Sequence, residues 1–322
     1  MTFAYVAPRP GAPLARVPRP APEPRPDEVV IEVEAAAFAA PELAALAAAT
    51  GRAPGGAAVG RVVATGDAAG HLAGKRVVAG PILACADCEL CRRAHPAVCP
   101  HARRYGVDID GAFASHLVAP ARWILALDGP FDGLLPGPAA AALAREAPFA
   151  YEMFARAGVA PGETTVWLGD GPIAAFGAAI ARAKGATAVE PTPAEVALSP
   201  DELRVALAAR AGAPPWRAFE TAGTADGRRR ALALAIPGGT AVCLAPGAGA
   251  PLGIDDALAA EVAIVGVAGA HPDLYPEVAA LAVRGDVDLA AHVTVVPAAE
   301  IPSLPERLRS GGGRTLLVAT LG

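Results

Sequence analysis

An α/β protein in two domains, the second built on a doubly wound parallel sheet, is what this sequence predicts. Three observations carry that expectation. The length of 322 residues fits two domains better than one, at roughly 100–200 residues per domain. A β-prone run, Thr164 to Leu168, meets Gly169-Asp170-Gly171 and passes straight into a small-residue helix pattern ending at Gly185, which is the strand–turn–helix order of a parallel βαβ unit. In the first half, Cys85, Cys88, Cys91 and Cys99 crowd into fifteen residues, the mark of a protruding lobe held by its own cross-link.

Composition narrows the class. Hydrophobic residues make up 53% and charged ones 18%, whereas a disordered chain needs low hydrophobicity and high net charge. The 35 glycines follow no three-residue period, which excludes collagen. A net charge of −5 sets up no field that would favour a polyanion, so no nucleic-acid partner is expected. Residues 231–254 carry no charge but are broken by Pro237, Gly238, Gly239, Pro246, Gly247, Gly249 and Pro251, so they make no membrane span. Met1 to Pro26 is rich in Pro and Arg where a secretory signal needs an apolar run, and a cytoplasmic location is expected.

The first chemical element along the chain is the cysteine cluster, spaced C-x2-C-x2-C-x7-C. Four thiolates in one short loop surround Zn²⁺ tetrahedrally, and a closed four-sulfur shell leaves no open position for water, so the site is structural. Disulfides are the competing arrangement, but they would close cramped loops in a chain expected where thiols stay reduced. Arg92, Arg93, Arg103 and Arg104 flank the cluster. They raise a nucleic-acid zinc ribbon as an alternative, against which stand the acidic total and the lack of interleaved aromatics. Cys243 stands apart in the apolar strand pattern Thr240 to Leu244 and reads as an inert core thiol.

The glycine turn comes next. It has the G-x-G-x-x-G/A form with Ala174 in the third place. Gly169 permits the tight turn, Gly171 lets a pyrophosphate approach the backbone, Ala174 keeps helix and strand close, and the helix N-terminus supplies N–H donors. Two features depart from the pattern. Asp170 puts a carboxylate inside the phosphate loop, and the second half of the unit is compressed. A ribose-binding acid is expected about 20 residues on. Glu190 stands at that distance, after a short strand Thr187 to Val189, and is either that acid or a surface loop acid. Pro191 to Pro200 carries three prolines, and since proline breaks a helix interior, a helix between the second and third strands is expected to be missing.

With the cysteine lobe and the glycine turn in this order, the chain resembles the zinc-type alcohol dehydrogenases of the medium-chain dehydrogenase/reductase family. Asp27-Glu28-Val29-Val30-Ile31-Glu32-Val33 is similar to that family's first strands, Gly74-Lys75-Arg76-Val77-Val78 to its G-D-R-V segment, and Asp110-Gly111-Ala112-Phe113-Ala114-Ser115-His116 to its D-G-G-F-A-E-Y. Ala157-Gly158-Val159-Ala160-Pro161-Gly162-Glu163-Thr164 resembles the lead into the nucleotide strand; Phe219-Glu220-Thr221-Ala222-Gly223 and Pro237-Gly238-Gly239 resemble the next strand and turn. The resemblance implies a GroES-like β-rich domain over 1–135, with a structural zinc lobe at about 82–104. A Rossmann domain follows over 136–289, shortened between its second and third strands. Residues 290–322 return to the first domain, ending in a strand Thr315 to Ala319. It also implies NAD(P) as cofactor, a small-molecule substrate, and a homo-oligomer, dimer or tetramer, formed by pairing sheet edges at Glu261 to Ala268.

The family's catalytic metal is where the chain departs. The position of the family's Cys ligand falls on Ala39 and that of its relay hydroxyl on Pro41. Its His-Glu pair falls on Gly56-Ala57, judged from Gly60-Arg61-Val62-Val63, and the third ligand region reads Ala144-Arg145-Glu146. One carboxylate does not hold a catalytic zinc, which takes three protein ligands. Arg145, Glu146 and Tyr151 are the residues left to act on a substrate oxygen. Two readings follow: a metal-independent NAD(P)-linked reductase, suited to a polarised C=C bond, or a catalytically degenerate relative serving as a binding or assembly subunit.

Overall fold

The computed structural model describes residues 1–47, 51–131, 135, 137–244, 254–311 and 316–321. Pro246, Gly247, Gly249, Pro251, Thr315 and the position 136, all used in the sequence argument, lie outside them. The chain divides into two compact units: Met1–Pro148 with His271–Val283 and Asp288–Gly322, and Phe149–Ala270 with Arg284–Val287. The first unit thus extends through the helix Gly137–Leu143 to Pro148, beyond the sequence-based boundary at 135. Among the described residues no helix is long and apolar enough to cross a membrane.

The first unit is built on Glu28–Phe38, an eleven-residue strand of alternating Val, Ile and Ala that pairs antiparallel with Ala57–Thr65, His116–Pro120 and Leu316–Thr320. Arg76–Ala79 and Ile124–Ala126 extend the sheet on one side, and Val293–Val296 pairs parallel with Leu316–Thr320 on the other. Register shifts at Val30/Ile31 and Val33/Ala35 bend the long strand, as bulges do. Phe38 and Phe113, fully buried with ring centroids 5.7 Å apart, sit in its core. A short helix, Ala40–Leu46, leaves the end of the long strand and carries Glu42 inward.

The second unit is a parallel sheet in the order Thr187–Val189, Thr164–Leu168, Arg217–Glu220, Thr240–Leu244, Ala263–Val267. Thr164–Leu168 and Thr240–Leu244 start and stop where the apolar runs do, because parallel strands buried on both faces read as continuous hydrophobic stretches. Trp167 stacks on Phe219 at 3.8 Å. The helix Pro172–Ala183 approaches so closely that a Cβ on Gly177 would lie 2.0 Å from the Trp167 ring. Gly177, one turn beyond Ala174, is therefore the position where helix and strand press hardest.

The expected loss of a helix is corrected in its detail. A twelve-residue helix, Pro200–Ala211, does join Thr187–Val189 to Arg217–Glu220. Pro200, which read as a breaker, sits at its start, where a missing N–H costs nothing. Ser199 caps it by accepting from the Glu202 N–H while Glu202 reaches back to the Ser199 N–H at 2.9 Å. The shortening is real but lies elsewhere. A doubly wound sheet of order 3-2-1-4-5-6 carries one more strand beyond the second. Here Thr187–Val189 is the edge, and Pro191–Leu198 offers only the single turn Glu195–Ala197.

Candidate active site and metal centre

The cysteine lobe closes on one point. Sγ of Cys88 lies 3.5 Å from that of Cys91 and 3.8 Å from that of Cys99; Cys85 lies 3.5 Å from Cys99 and 3.9 Å from Cys91. A tetrahedral ion with Zn–S bonds of about 2.3 Å requires sulfurs about 3.8 Å apart, so the donor set fits zinc. Ala86 and Ala94 take left-handed backbone conformations, φ 67° and 61°, to turn the loop. The Trp123 indole N–H donates to the Ala84 carbonyl at 3.1 Å and pins the lobe's base. Among the described residues this is the one group of three or more His, Cys, Asp or Glu side chains placed to share an ion.

In the second unit the glycine turn has the form its residues call for. Gly169 ends the first strand at φ +141°, and a Cβ there would lie 2.2 Å from the Thr221 hydroxyl oxygen. Gly171 precedes the helix Pro172–Ala183 as its N-cap, a residue with no side chain of its own to cap the first-turn N–H groups. Ala174 is buried on that helix. The turn lies where the chain-order neighbours Thr187–Val189 and Arg217–Glu220 flank the first strand on opposite sides, the switch point at which such sheets bind ligands. Glu220 is fully buried, and its Oε1 accepts from the N–H groups of Ala222 (2.9 Å) and Thr224 (3.1 Å), fixing the loop beside the turn. Thr221 donates its hydroxyl to the Leu168 carbonyl at 2.9 Å. Glu190 follows the second strand. Its carbonyl accepts from Arg210 at 3.0 Å, while its Oε1 is buried with no protein partner. Cys243 is buried on Thr240–Leu244, and burial followed by the nearby Glu220 charge pushes its thiol up to about 11, which makes it unreactive.

In the first unit the three segments that resemble metal-ligand regions do converge, but on a salt-bridge cluster. Arg145 donates from Nη1 to Glu42 Oε1 at 2.7 Å, from Nη2 to Glu42 Oε2 at 3.1 Å, and from Nε to Glu146 Oε1 at 2.9 Å. The Ala39 N–H donates to Glu42 Oε2 at 3.0 Å. At the position resembling the His ligand, a Cβ on Gly56 would lie 2.0 Å from Arg145 Nη1 and 2.2 Å from Glu42 Oε1. The guanidinium and its partner fill the space a side chain at 56 would need, so these residues do not fit a catalytic metal. All three members are at least nine-tenths buried, at 1% exposure for Glu42, 5% for Arg145 and 7% for Glu146.

Burial works against the Arg145 charge, but Glu42 and then Glu146 outweigh it and hold the guanidinium protonated. Glu146 is pushed up to about 7 by burial, an effect that Arg145 opposes and the Glu42 charge reinforces. Its Oε2 is buried without a partner. Tyr151 does not join the cluster's bonds: its ring packs against Phe154 and lies 5.3 Å from Lys184 Nζ. The residue that sequence reasoning passed over is Glu42. Its neighbours Pro41, Leu43 and Ala44 describe an ordinary helix start, and only the pairing with a residue 103 positions away marks it.

Comparison with known proteins agrees with this architecture. Residues 25–129 match the alcohol dehydrogenase GroES-like domain. L-galactonate-5-dehydrogenase of Escherichia coli K12 is 32% identical over 118 residues, 36% of this chain and 32% of that enzyme. The chain spans about a third of the length of the first curated relatives it matches. Among solved structures, a short chain alcohol dehydrogenase of E. coli CFT073 complexed with NADH superposes with a TM-score of 0.84 at 17% identity, over 99% of both chains. A cobalt- and zinc-bound thermostable alcohol dehydrogenase from Pyrobaculum aerophilum does so with 0.82 at 23%, again over 99% of both. Residues 25–129 are thus similar to the alcohol dehydrogenase GroES-like domain, and the whole chain shares the two-part α/β fold of these solved structures.

Proposed function

We propose that this chain is an NAD(P)-linked oxidoreductase that holds one structural zinc in its cysteine lobe, works without a catalytic zinc, and reduces a polarised C=C bond of a small molecule. The observation that carries the reading is the turn Gly169-Asp170-Gly171. It brings a helix N-terminus to the switch point of a parallel sheet and opens with a glycine whose Cβ would collide with Thr221. Glu190, with a buried carboxylate oxygen that no protein group meets, suits a ribose 2′-hydroxyl and so favours NAD over NADP. In the first unit a guanidinium fills the place where the resemblance puts metal ligands, which supports chemistry on a substrate whose own electron-withdrawing group shares the developing charge. Zinc thiolate binding suits the reducing cytoplasm.

Two observations favour the second reading, a non-catalytic binding or assembly subunit: the lost edge strand beside Glu190 and the closed salt-bridge cluster. Titration of the purified protein with NADH and NADPH separates the two. Saturable binding with NADH preferred, abolished by Gly169→Ala, is the expected result. Absence of binding by either dinucleotide would establish the subunit reading in its place.

A further inference from the structure

The shortened parallel sheet ends at Thr187–Val189, and one hydrogen bond fixes which way the backbone groups of that edge point. The Thr187 N–H donates to the Glu163 carbonyl at 2.9 Å, so Thr187 faces the strand Thr164–Leu168 with which it pairs. In a parallel ladder successive residues turn their N–H and C=O groups to opposite sides. Ala188 therefore faces away from the sheet, and Glu190, two residues on, continues that side. Both of these carbonyls are taken by arginines. Arg182, in the last turn of the helix Pro172–Ala183, donates from Nη2 to the Ala188 carbonyl at 3.0 Å. Arg210, near the end of Pro200–Ala211, donates from Nη2 to the Glu190 carbonyl at 3.0 Å. Glu195 holds Arg210 in place: its Oε2 accepts from Arg210 Nη1 at 2.5 Å and from the Thr192 N–H at 2.7 Å. Pro191, the next residue along the edge, has no N–H to offer a further strand.

We propose that Arg182 and Arg210 close this edge to a second copy of the chain, so that the parallel sheet pairs with another copy at Ala263–Val267 alone. A strand added at Thr187–Val189 must donate its N–H groups to the carbonyls of Ala188 and Glu190. Those acceptors already hold charged donors. Displacing them forfeits charge-assisted bonds and, for Arg210, disturbs the ion pair with Glu195. Charged side chains at a sheet edge are a general defence against edge-to-edge pairing. The defence is needed here because the strand that covers the second strand in a sheet of order 3-2-1-4-5-6 is absent among the described residues. At the opposite edge Ile264 stands exposed. One open edge pairs with its like across a two-fold axis and closes as a dimer, whereas two open edges on each copy would propagate. The guard operates whether or not a dinucleotide is bound.

The test uses the full-length protein in an Ile264→Lys background, which blocks the opposite edge. Sedimentation velocity gives the self-association, and amide hydrogen exchange at rising protein concentration gives its location. Adding Arg182→Ala and Arg210→Ala together is expected to strengthen self-association by about tenfold or more, from two carbonyls made free to accept. The amides of Ala188 and Glu190 should then exchange more slowly as concentration rises. A folded variant that sediments as its background does overturns the proposal, and so does one that associates without slowing those amides. The wild type decides independently of whether the variant folds. Its Ala188 and Glu190 amides are expected to exchange at rates that do not depend on concentration; slowing of these amides at high concentration overturns the proposal.

Discussion

Arg145 neutralises Glu42 in a space that excludes water, so its removal is felt as a buried carboxylate left alone. Arg145→Ala is expected to destabilise the protein by about 3–5 kcal/mol in urea unfolding, the cost of breaking a buried pair from one side; a loss below about 1 kcal/mol would show that the pair is solvated. Gly56→Ala is expected to destabilise as well, because its Cβ would meet Arg145 Nη1 at 2.0 Å. The two changes should not add: with the guanidinium gone the methyl has room, and the double variant should be more stable than the sum of the singles predicts. Glu146 contributes a pH signature. Its carboxyl, raised from 4.5 to about 7 by burial, keeps in the folded state a proton that the unfolded chain has already released. Its contribution to folding is therefore full below about pH 4.5, falls as pH rises toward 7, and is gone above that. Between pH 5 and 8 the wild type should lose stability relative to Glu146→Gln, and parallel curves would contradict the assignment. At this scale the sequence was half legible. Ala39, Gly56 and Arg145 could be placed against a known pattern, but nothing local told Glu42 from a surface acid, because its role depends on a partner brought near by the fold.

Elements were legible where one interaction dominates them. Thr164–Leu168, Thr187–Val189 and Thr240–Leu244 lie where their apolar runs do, since they are largely buried, and the buried Thr165 is accommodated by donating its hydroxyl to the Thr187 carbonyl. Pro200–Ala211 was not legible, because a proline at the first helical position and a proline that ends a helix look alike until Ser199 and Glu202 are read as a cap. Ser199→Ala should cost about 1 kcal/mol, seen as a lower midpoint in thermal unfolding; an unchanged midpoint would mean the helix is held by packing alone. Gly177→Ala should cost more than that and alter the near-ultraviolet spectrum of Trp167, whose ring the new methyl would strike. In the cysteine lobe, a chelator should release the metal and change Trp123 fluorescence, because Trp123 packs with Ala84 and Cys99. Cys99→Ser should reproduce that change without a chelator.

At the scale of the whole molecule, each compact unit carries its own feature: a glycine turn ahead of the helix Pro172–Ala183 in one, and a buried acid held by an arginine in the other. The parallel sheet ends on one side at Thr187–Val189 and on the other at Ala263–Val267, where Ile264 is 43% exposed. An exposed apolar edge strand invites pairing with another copy, so a homo-oligomer is expected, and Ile264→Lys should shift it toward monomer in analytical ultracentrifugation. An arginine-centred cluster occupies the segments where the resemblance to zinc-type alcohol dehydrogenases implies metal ligands. Zinc per polypeptide, counted by native mass spectrometry on the purified protein, tests it most directly. One zinc per chain is expected, lost in Cys99→Ser and unaffected by Arg145→Ala. Two zincs per chain, with one surviving Cys99→Ser, would contradict it.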